Sequence, residues 1–246
     1  MTRKTVVLGA VARVEGDARI ELTYRDGRYE SSRVFLTEEF RHFERLLVGR
    51  HYSEVPSMVS RICGICPVSH QLAAVIALEA ALGVEPSPQT RRLREALAWA
   101  QLLQSHAIHV ISLAGPDYVG QTGLLGLAES HPDQVQDLLR LRSLANAVVE
   151  AIGGNPVQPV TLRVGGFGPL PQAYRLRELA MELQASWGAV WRLVDWVAGF
   201  DLPEFQAELP LLALYDGQRY PLLEGSWRSS LGYTGVPADY RAYVAE

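Results

Sequence analysis

Apolar and polar positions alternate through residues 5–36, in TVVLGAVARV, ARIELTY and RYESSRVFL, with a turn at Asp26-Gly27 between the last two. That alternation predicts a small β-sheet. From Thr37 the period changes: Phe40, Phe43, Leu46 and Leu47 fall at helical spacing behind a Thr-Glu-Glu start, so a helix is expected to run to about Val48. Pro56 reopens the chain, and the small and apolar residues of 57–82 predict a helix interrupted by a loop at Cys63-Gly64-Ile65-Cys66-Pro67. Beyond Gly83 and the Pro86-Ser87-Pro88 stop, a long helix is predicted over 89–113, with Leu93, Leu97, Leu102 and Ile108 among its apolar positions and Gly115-Pro116 at its end. Two further helices fit 132–152 and 171–197, and in the second Leu183, Trp187, Val190, Trp191 and Val194 recur at helical spacing. Between them, 153–171 is dense in Gly and Pro yet holds a strand-like run at 160–164, the pattern of an ordered loop. The expected architecture is α+β and mainly helical: a single domain with a β-rich 1–36, a long-helix bundle over 37–200 and short strands and turns over 201–246.

Composition narrows the class. With 246 residues, 48% hydrophobic and 20% charged, the chain can bury one sizeable core. A net charge of −4 gives no electrostatic footprint for nucleic acid or an anionic membrane. The short apolar run near the N-terminus is followed at once by Arg13, Glu15 and Asp17, where a leader would carry its cleavage site, so no leader is expected. The most apolar stretch, 72–84, carries Glu79 and is too short to span a bilayer. Cys63 and Cys66 are the only cysteines, too few for a disulfide framework. Two thiols so close together point to a reducing compartment and to a metal or redox role, and the expectation is a cytoplasmic protein.

The chemistry therefore centres on Arg61-Ile62-Cys63-Gly64-Ile65-Cys66-Pro67-Val68-Ser69-His70. A Cys-x-x-Cys loop turns both sulfurs toward one metal, Gly64 is expected to permit the tight backbone, and a nearby cation or helix N-terminus favours the metal-binding thiolate. Soft thiolates select zinc, copper(I), nickel or iron over hard cations. A redox dithiol and half of a structural zinc site remain open on the Cys-x-x-Cys alone, although the chain has no second such pair to complete a zinc site.

Three segments in order, Val11-Ala12-Arg13-Val14-Glu15-Gly16-Asp17, Phe40-Arg41-His42-Phe43-Glu44 and Ser60 to His70, closely resemble the large subunit of nickel-iron hydrogenases. Ser105-His106-Ala107-Ile108-His109, Ala114-Gly115-Pro116-Asp117 and 159–167 are similar to further stretches of that family, so the resemblance covers essentially the whole chain. The CGICPVSH wording is most similar to the soluble branch, whose members couple hydrogen to nicotinamide or deazaflavin cofactors.

What the resemblance implies is specific. Cys63 would be a terminal thiolate on nickel and Cys66 a thiolate bridging nickel and an iron that carries cyanide and carbon monoxide. Glu15 would be the first proton acceptor beside a nickel-bound sulfur; without the resemblance it reads as a strand-end carboxylate paired with Arg13. Glu44 would bind magnesium, a hard cation suited to oxygen ligands, and otherwise reads as a solvated helix carboxylate. His70 would hydrogen-bond toward the bridging sulfur from outside the coordination shell. His106 and His109 lie three apart and are expected to be structural or interfacial. Electrons would pass to a small subunit holding iron-sulfur clusters, because this chain has no further cysteines for them, and onward to a nicotinamide- or deazaflavin-linked module. Asp17 and Gln158 stand where relatives often have histidine. The family's second motif, a DPCxxC followed by histidine, is absent before Glu246, so the resemblance implies an N-terminal portion of the subunit that is inactive alone. A nickel-free quinone-reductase subunit and a small thiol oxidoreductase are the alternatives, the first opposed by Cys63 and Cys66.

Overall fold

The computed structural model describes residues 1–246 apart from 1, 10, 14, 15, 38–41, 205, 207 and 244–246. Its N-terminal part is an antiparallel meander of β1 (Arg3–Leu8), β2 (Ala18–Arg25) and β3 (Arg28–Leu36), with β2 in the centre. Asp26 and Gly27 both have positive φ, 48° and 79°, the backbone a two-residue hairpin needs to match the strand twist. The predicted hairpin is present, and β1 pairs Val6 with Leu22 and Leu8 with Ile20.

The rest is mainly helical, as the patterning implies. Short α1 (His42–Leu47) and α2 (Val55–Val59) lead into α3 (Pro67–Leu82) and α4 (Pro88–Ile108). The α3–α4 corner follows from local chemistry: Gly83 ends α3 at φ 66°, and the Ser87 side chain caps α4 by accepting from the Thr90 N–H at 3.1 Å. The helix expected over 89–113 changes form near its end. After Ile108 it widens into a π-helix (His109–Ala114) and re-tightens as α5 (Gly115–Tyr118). Next come α6 (Leu124–Ser130), to which no sequence signal pointed, and α7 (Pro132–Gly153). A minimal hairpin of β4 (Leu162–Arg163) and β5 (Gly166–Phe167) lies in the Gly/Pro-rich loop.

The helix expected over 171–197 is two helices, α8 (Ala173–Ala185) and α9 (Trp187–Ala198). The break is at Ser186, a buried residue whose hydroxyl donates to the Glu182 carbonyl at 2.9 Å. Such back-bonding is a known cause of helix bending. The last part carries a second antiparallel sheet in the order β6 (Leu212–Tyr215), β7 (Ser226–Ser229), β8 (Thr234–Gly235), followed by a 3₁₀ turn (Pro237–Ala242).

Two apolar clusters hold the helices. In the larger, Val68, Leu72 and Val75 of α3 meet Leu97 of α4, Leu144, Val148, Val149 and Ile152 of α7, Leu162 of β4 and Leu179 of α8. The smaller joins Ala107 and Ile111 to Leu138, Leu141 and Leu193. Among the described residues no helix is long and apolar enough to cross a membrane.

Candidate metal centre

The site begins in the loop between α2 and α3. Cys63 is buried and Cys66 half-buried. The backbone N–H groups of Ile65 and Cys66 donate to Cys63 Sγ at 3.4 and 3.2 Å, folding the loop so that the first sulfur lies against the start of α3. Cys66 is the N-cap of α3 and Pro67 its first residue, where the missing N–H costs no helical hydrogen bond. Gly64 does not act through a special backbone, contrary to expectation. Its φ lies outside the left-handed region and a Cβ there would meet nothing within 4 Å. The turn is built by the amide–sulfur contacts instead.

His70 stands one helical turn past Cys66, a spacing that puts two side chains on one helix face. Both sulfurs and a ring nitrogen of His70 accordingly lie within 4.8 Å of one another. Among the described residues this is the only cluster of three or more His, Cys, Asp or Glu donors so close together.

Three polar residues fix α3, and sequence reading singled out none of them as such. Gln101, buried on α4, accepts from the N–H groups of Val68 and Ser69 at 2.6 and 3.4 Å and donates to Ser69 Oγ at 2.6 Å. It thus satisfies helix-start donors that would otherwise be orphaned two and three residues from Cys66. Gln71 donates to the Pro159 carbonyl at 2.6 Å. Glu79 forms a buried two-pronged ion pair with Arg94 at 2.7 and 2.6 Å and accepts from the Gly165 N–H at 2.6 Å. Burial pushes the Glu79 carboxyl up, but the Arg94 hydrogen bonds, the Gly165 N–H and the charges of Arg94 and Arg91 together hold it below the ordinary carboxylate range. In the sequence Gln71 and Glu79 stand out only as polar positions eight apart inside an apolar helix pattern.

The other expected residues are dispersed. Glu15 lies outside the described residues. Arg13, two positions before it, bridges to Asp117 of α5 and donates to the Leu113 carbonyl at 2.9 Å. That contact joins the segment before β2 to α5. Glu44 is exposed on the six-residue α1, and His106 and His109 are exposed on the helix leading to α5.

Neither of the two best-formed cavities is the site. A cavity of about 570 Å³ lies between α3, α4 and residues 219–224. Three of its four arginines are already engaged: Arg91 by Glu85 and Glu224, Arg94 by Glu79, and Arg219 by Glu95 and Asp216. A second of about 320 Å³ is lined by Gln71, Pro159 and residues of α2 and β4.

The donor set suits a soft metal, since two sulfurs and an imidazole nitrogen converge on one point. Two thiols cover half of the roughly four soft donors a nickel site calls for. A hard cation calls for several oxygens, of which Glu44 offers those of one carboxylate.

The model of the nickel-dependent hydrogenase family matches residues 41–151, a span holding Glu44, Cys63, Cys66, His70 and the Gln101 clamp. Sulfhydrogenase 2 subunit alpha of Pyrococcus furiosus is 35% identical over 175 residues, 71% of this chain and 42% of the relative. Across that span the chain is similar to nickel-dependent hydrogenases. Another relative, the NAD-reducing hydrogenase HoxS subunit beta of Cupriavidus necator, is 31% identical over 68% of this chain and 36% of its own length. A crystal structure of an NAD+-reducing NiFe hydrogenase in the H2-reduced state superposes with a TM-score of 0.81 at 29% identity, over 97% of this chain and 58% of that one. The Ni-Fe-Se hydrogenase of Desulfovibrio vulgaris Hildenborough superposes at 0.64, with 28% identity over 75% of this chain. The present chain thus spans about two fifths of the curated hydrogenase subunits it matches.

Proposed function

We propose that residues 1–246 form one incomplete domain, the N-terminal portion of a nickel-iron hydrogenase catalytic subunit that splits hydrogen reversibly and heterolytically. The observation that carries this reading is the convergence of Cys63, Cys66 and His70 at the N-terminus of α3 within the family-matched span. In it Cys63 and Cys66 would hold the nickel-iron centre through ionised sulfur, Cys63 on nickel and Cys66 on both metals, and cyanide and carbon monoxide would complete the iron. The metal pair supplies the site at which hydrogen is polarised, and this chain supplies ionised sulfur and a base. Glu15 takes the proton from a cysteine sulfur. Arg13, two residues away, is anchored to Asp117 and the Leu113 carbonyl, which ties that segment to α5. Glu44 supplies one oxygen ligand to magnesium. Electrons leave to an iron-sulfur small subunit and a nicotinamide- or deazaflavin-linked module in the cytoplasm.

The test uses the assembled enzyme. Cys63→Ser should lose nickel together with hydrogen uptake. Glu15→Gln should keep its metal while turnover and isotope exchange fall by roughly two or more orders of magnitude, the usual scale for removing a positioned proton carrier. Full turnover in Glu15→Gln would place the proton acceptor elsewhere.

A further inference from the structure

We infer that the cavity of about 570 Å³ between α3, α4 and residues 219–224 binds a small uncharged molecule with an apolar body and an acceptor oxygen, a ketone or amide carbonyl in class. Arg94 Nε receives that oxygen. Neither Cys63 nor Cys66 lines this cavity, so the site stands whether or not those thiols hold a metal.

An orphaned donor marks the place. Arg94 lines the cavity and is 2% exposed, yet its Nε has no hydrogen-bond partner among the described residues. Buried polar atoms without a partner are uncommon, and one in a cavity wall calls for a ligand or a water. The guanidinium is not free to turn toward an acceptor of its own. Glu79 holds Nη1 and Nη2 at 2.7 and 2.6 Å, and the Arg163 carbonyl accepts from Nη2 at 3.1 Å. What is missing is an acceptor brought from outside.

Volume and lining define what carries it. One water occupies about 30 Å³, a small part of this space, whereas small-molecule pockets run from about 300 to 1,000 Å³. Ile76, Ala80 and Val84 from the end of α3, with Leu222 and Leu223 from the facing segment, give apolar walls that favour an apolar body over a cluster of waters. Charge disfavours an ion of either sign. The walls carry four arginines and four glutamates, and each of those glutamates is paired with one of those arginines. A charged ligand would therefore have to break an existing pair to gain a new one. Two of the pairs, Arg91 with Glu224 at 2.9 Å and Arg219 with Glu95 at 3.0 Å, also tie residues 219–224 to α4. They hold the outer wall in place before a ligand enters, which lowers the ordering cost of binding.

The test is NMR on the full chain with three probes of one shape: cyclohexanone, methylenecyclohexane and cyclohexanecarboxylate. Arg94 is the one buried arginine among the described residues, so its Nε–H is recognised by slow exchange with solvent. Cyclohexanone is expected to saturate one site per chain and to shift that Nε–H resonance. Methylenecyclohexane, with CH2 in place of the oxygen, and the charged carboxylate should each bind roughly tenfold or more weakly, and methylenecyclohexane should leave the resonance in place. Ala80→Phe and Ile76→Trp, at two exposed positions of α3, fill the cavity, and each should abolish saturable binding without lowering the melting temperature. Cyclohexanone binding that persists in both variants lies on apolar surface elsewhere and overturns the site. Equal binding of the ketone and its methylene analogue, with no shift of the Nε–H, overturns the role of Arg94. Tighter binding of the carboxylate overturns the choice of an uncharged ligand, and no saturable binding of any probe overturns the whole.

Discussion

At the scale of single residues, the cysteine pair is placed by the amide–sulfur contacts of its own loop together with one side-chain amide across the helix interface. Gln101 sits on α4, far from Cys63 in sequence, and its side-chain oxygen takes the N–H groups that open α3. Gln101→Ala would leave the buried Val68 N–H without its partner, a loss of about 1–3 kcal/mol. We expect a lower melting temperature and a metal affinity reduced by roughly tenfold or more, as for other groups that orient ligands. Unchanged values of both would show that the loop holds itself. Gly115 is fixed in a comparable way by space. Its N–H bonds to the Val110 carbonyl, and a Cβ would collide with that oxygen. The glycine of Ala114-Gly115-Pro116-Asp117 thus belongs to the π-helix turn that delivers Asp117 to Arg13.

At the scale of elements, α3 is the carrier of the site, and its far end is clamped by charge. Glu79 and Arg94 are both buried, the Gly165 N–H adding to the carboxylate and the Arg163 carbonyl to the guanidinium, while the Arg94 Nε has no partner among the described residues. Removing one partner strands the other, so Arg94→Met should destabilise by about 3–5 kcal/mol, as observed when buried pairs are broken from one side. The sign of the pH effect follows from the lowered Glu79 carboxyl. The unfolded chain takes up the proton first, near the ordinary value of about 4.3. The stabilisation is therefore complete above that value and is lost as pH falls through the lower folded value. Melting followed below pH 5 should show this loss in the native sequence and a weaker slope in Glu79→Gln; equal slopes would place acid sensitivity elsewhere, Asp216 being the other carboxyl held low, by the Arg219 and Gln218 N–H groups. In sequence Glu79 reads only as an interruption of an apolar run, because periodicity carries no information on a partner fifteen residues away. Cys63, Cys66 and His70 were legible because local spacing alone brings their donors together. Gly83 and Ser87-Pro88 were legible for the same reason, as caps act within one turn. The break at Ser186 and the π-helix after Ile108 were not, since both keep the apolar spacing and differ only in which carbonyl each N–H chooses.

At the scale of the whole molecule, the surface is too large for a chain of this size. The accessible area is 16949 Å², whereas a compact monomer of 27.2 kDa would expose about 10,900 Å². The difference of about 6,000 Å² exceeds several-fold the roughly 800 Å² that one partner contributes to an ordinary interface, so a single small docking patch does not account for it. Apolar side chains are prominent in that surface. On α9, Trp187 and Trp191 are 61% and 54% exposed and meet edge to face at 6.2 Å. Val194 continues the stripe, while Leu193 on the opposite side faces the core. Leu209, Leu211 and Leu212 are also exposed, the last on β6 at an edge of the second sheet, and an uncovered apolar edge is an aggregation template. Patches of this kind drive association. Residues 1–246 purified alone are therefore expected to bind a dye that reports apolar surface and to scatter light as oligomers, with less of both in Trp187→Ser combined with Trp191→Ser. A monodisperse, dye-silent monomer melting in one cooperative step would mean that the apolar stripes close on each other in solution, and that the hydrogenase fold is self-sufficient within these residues.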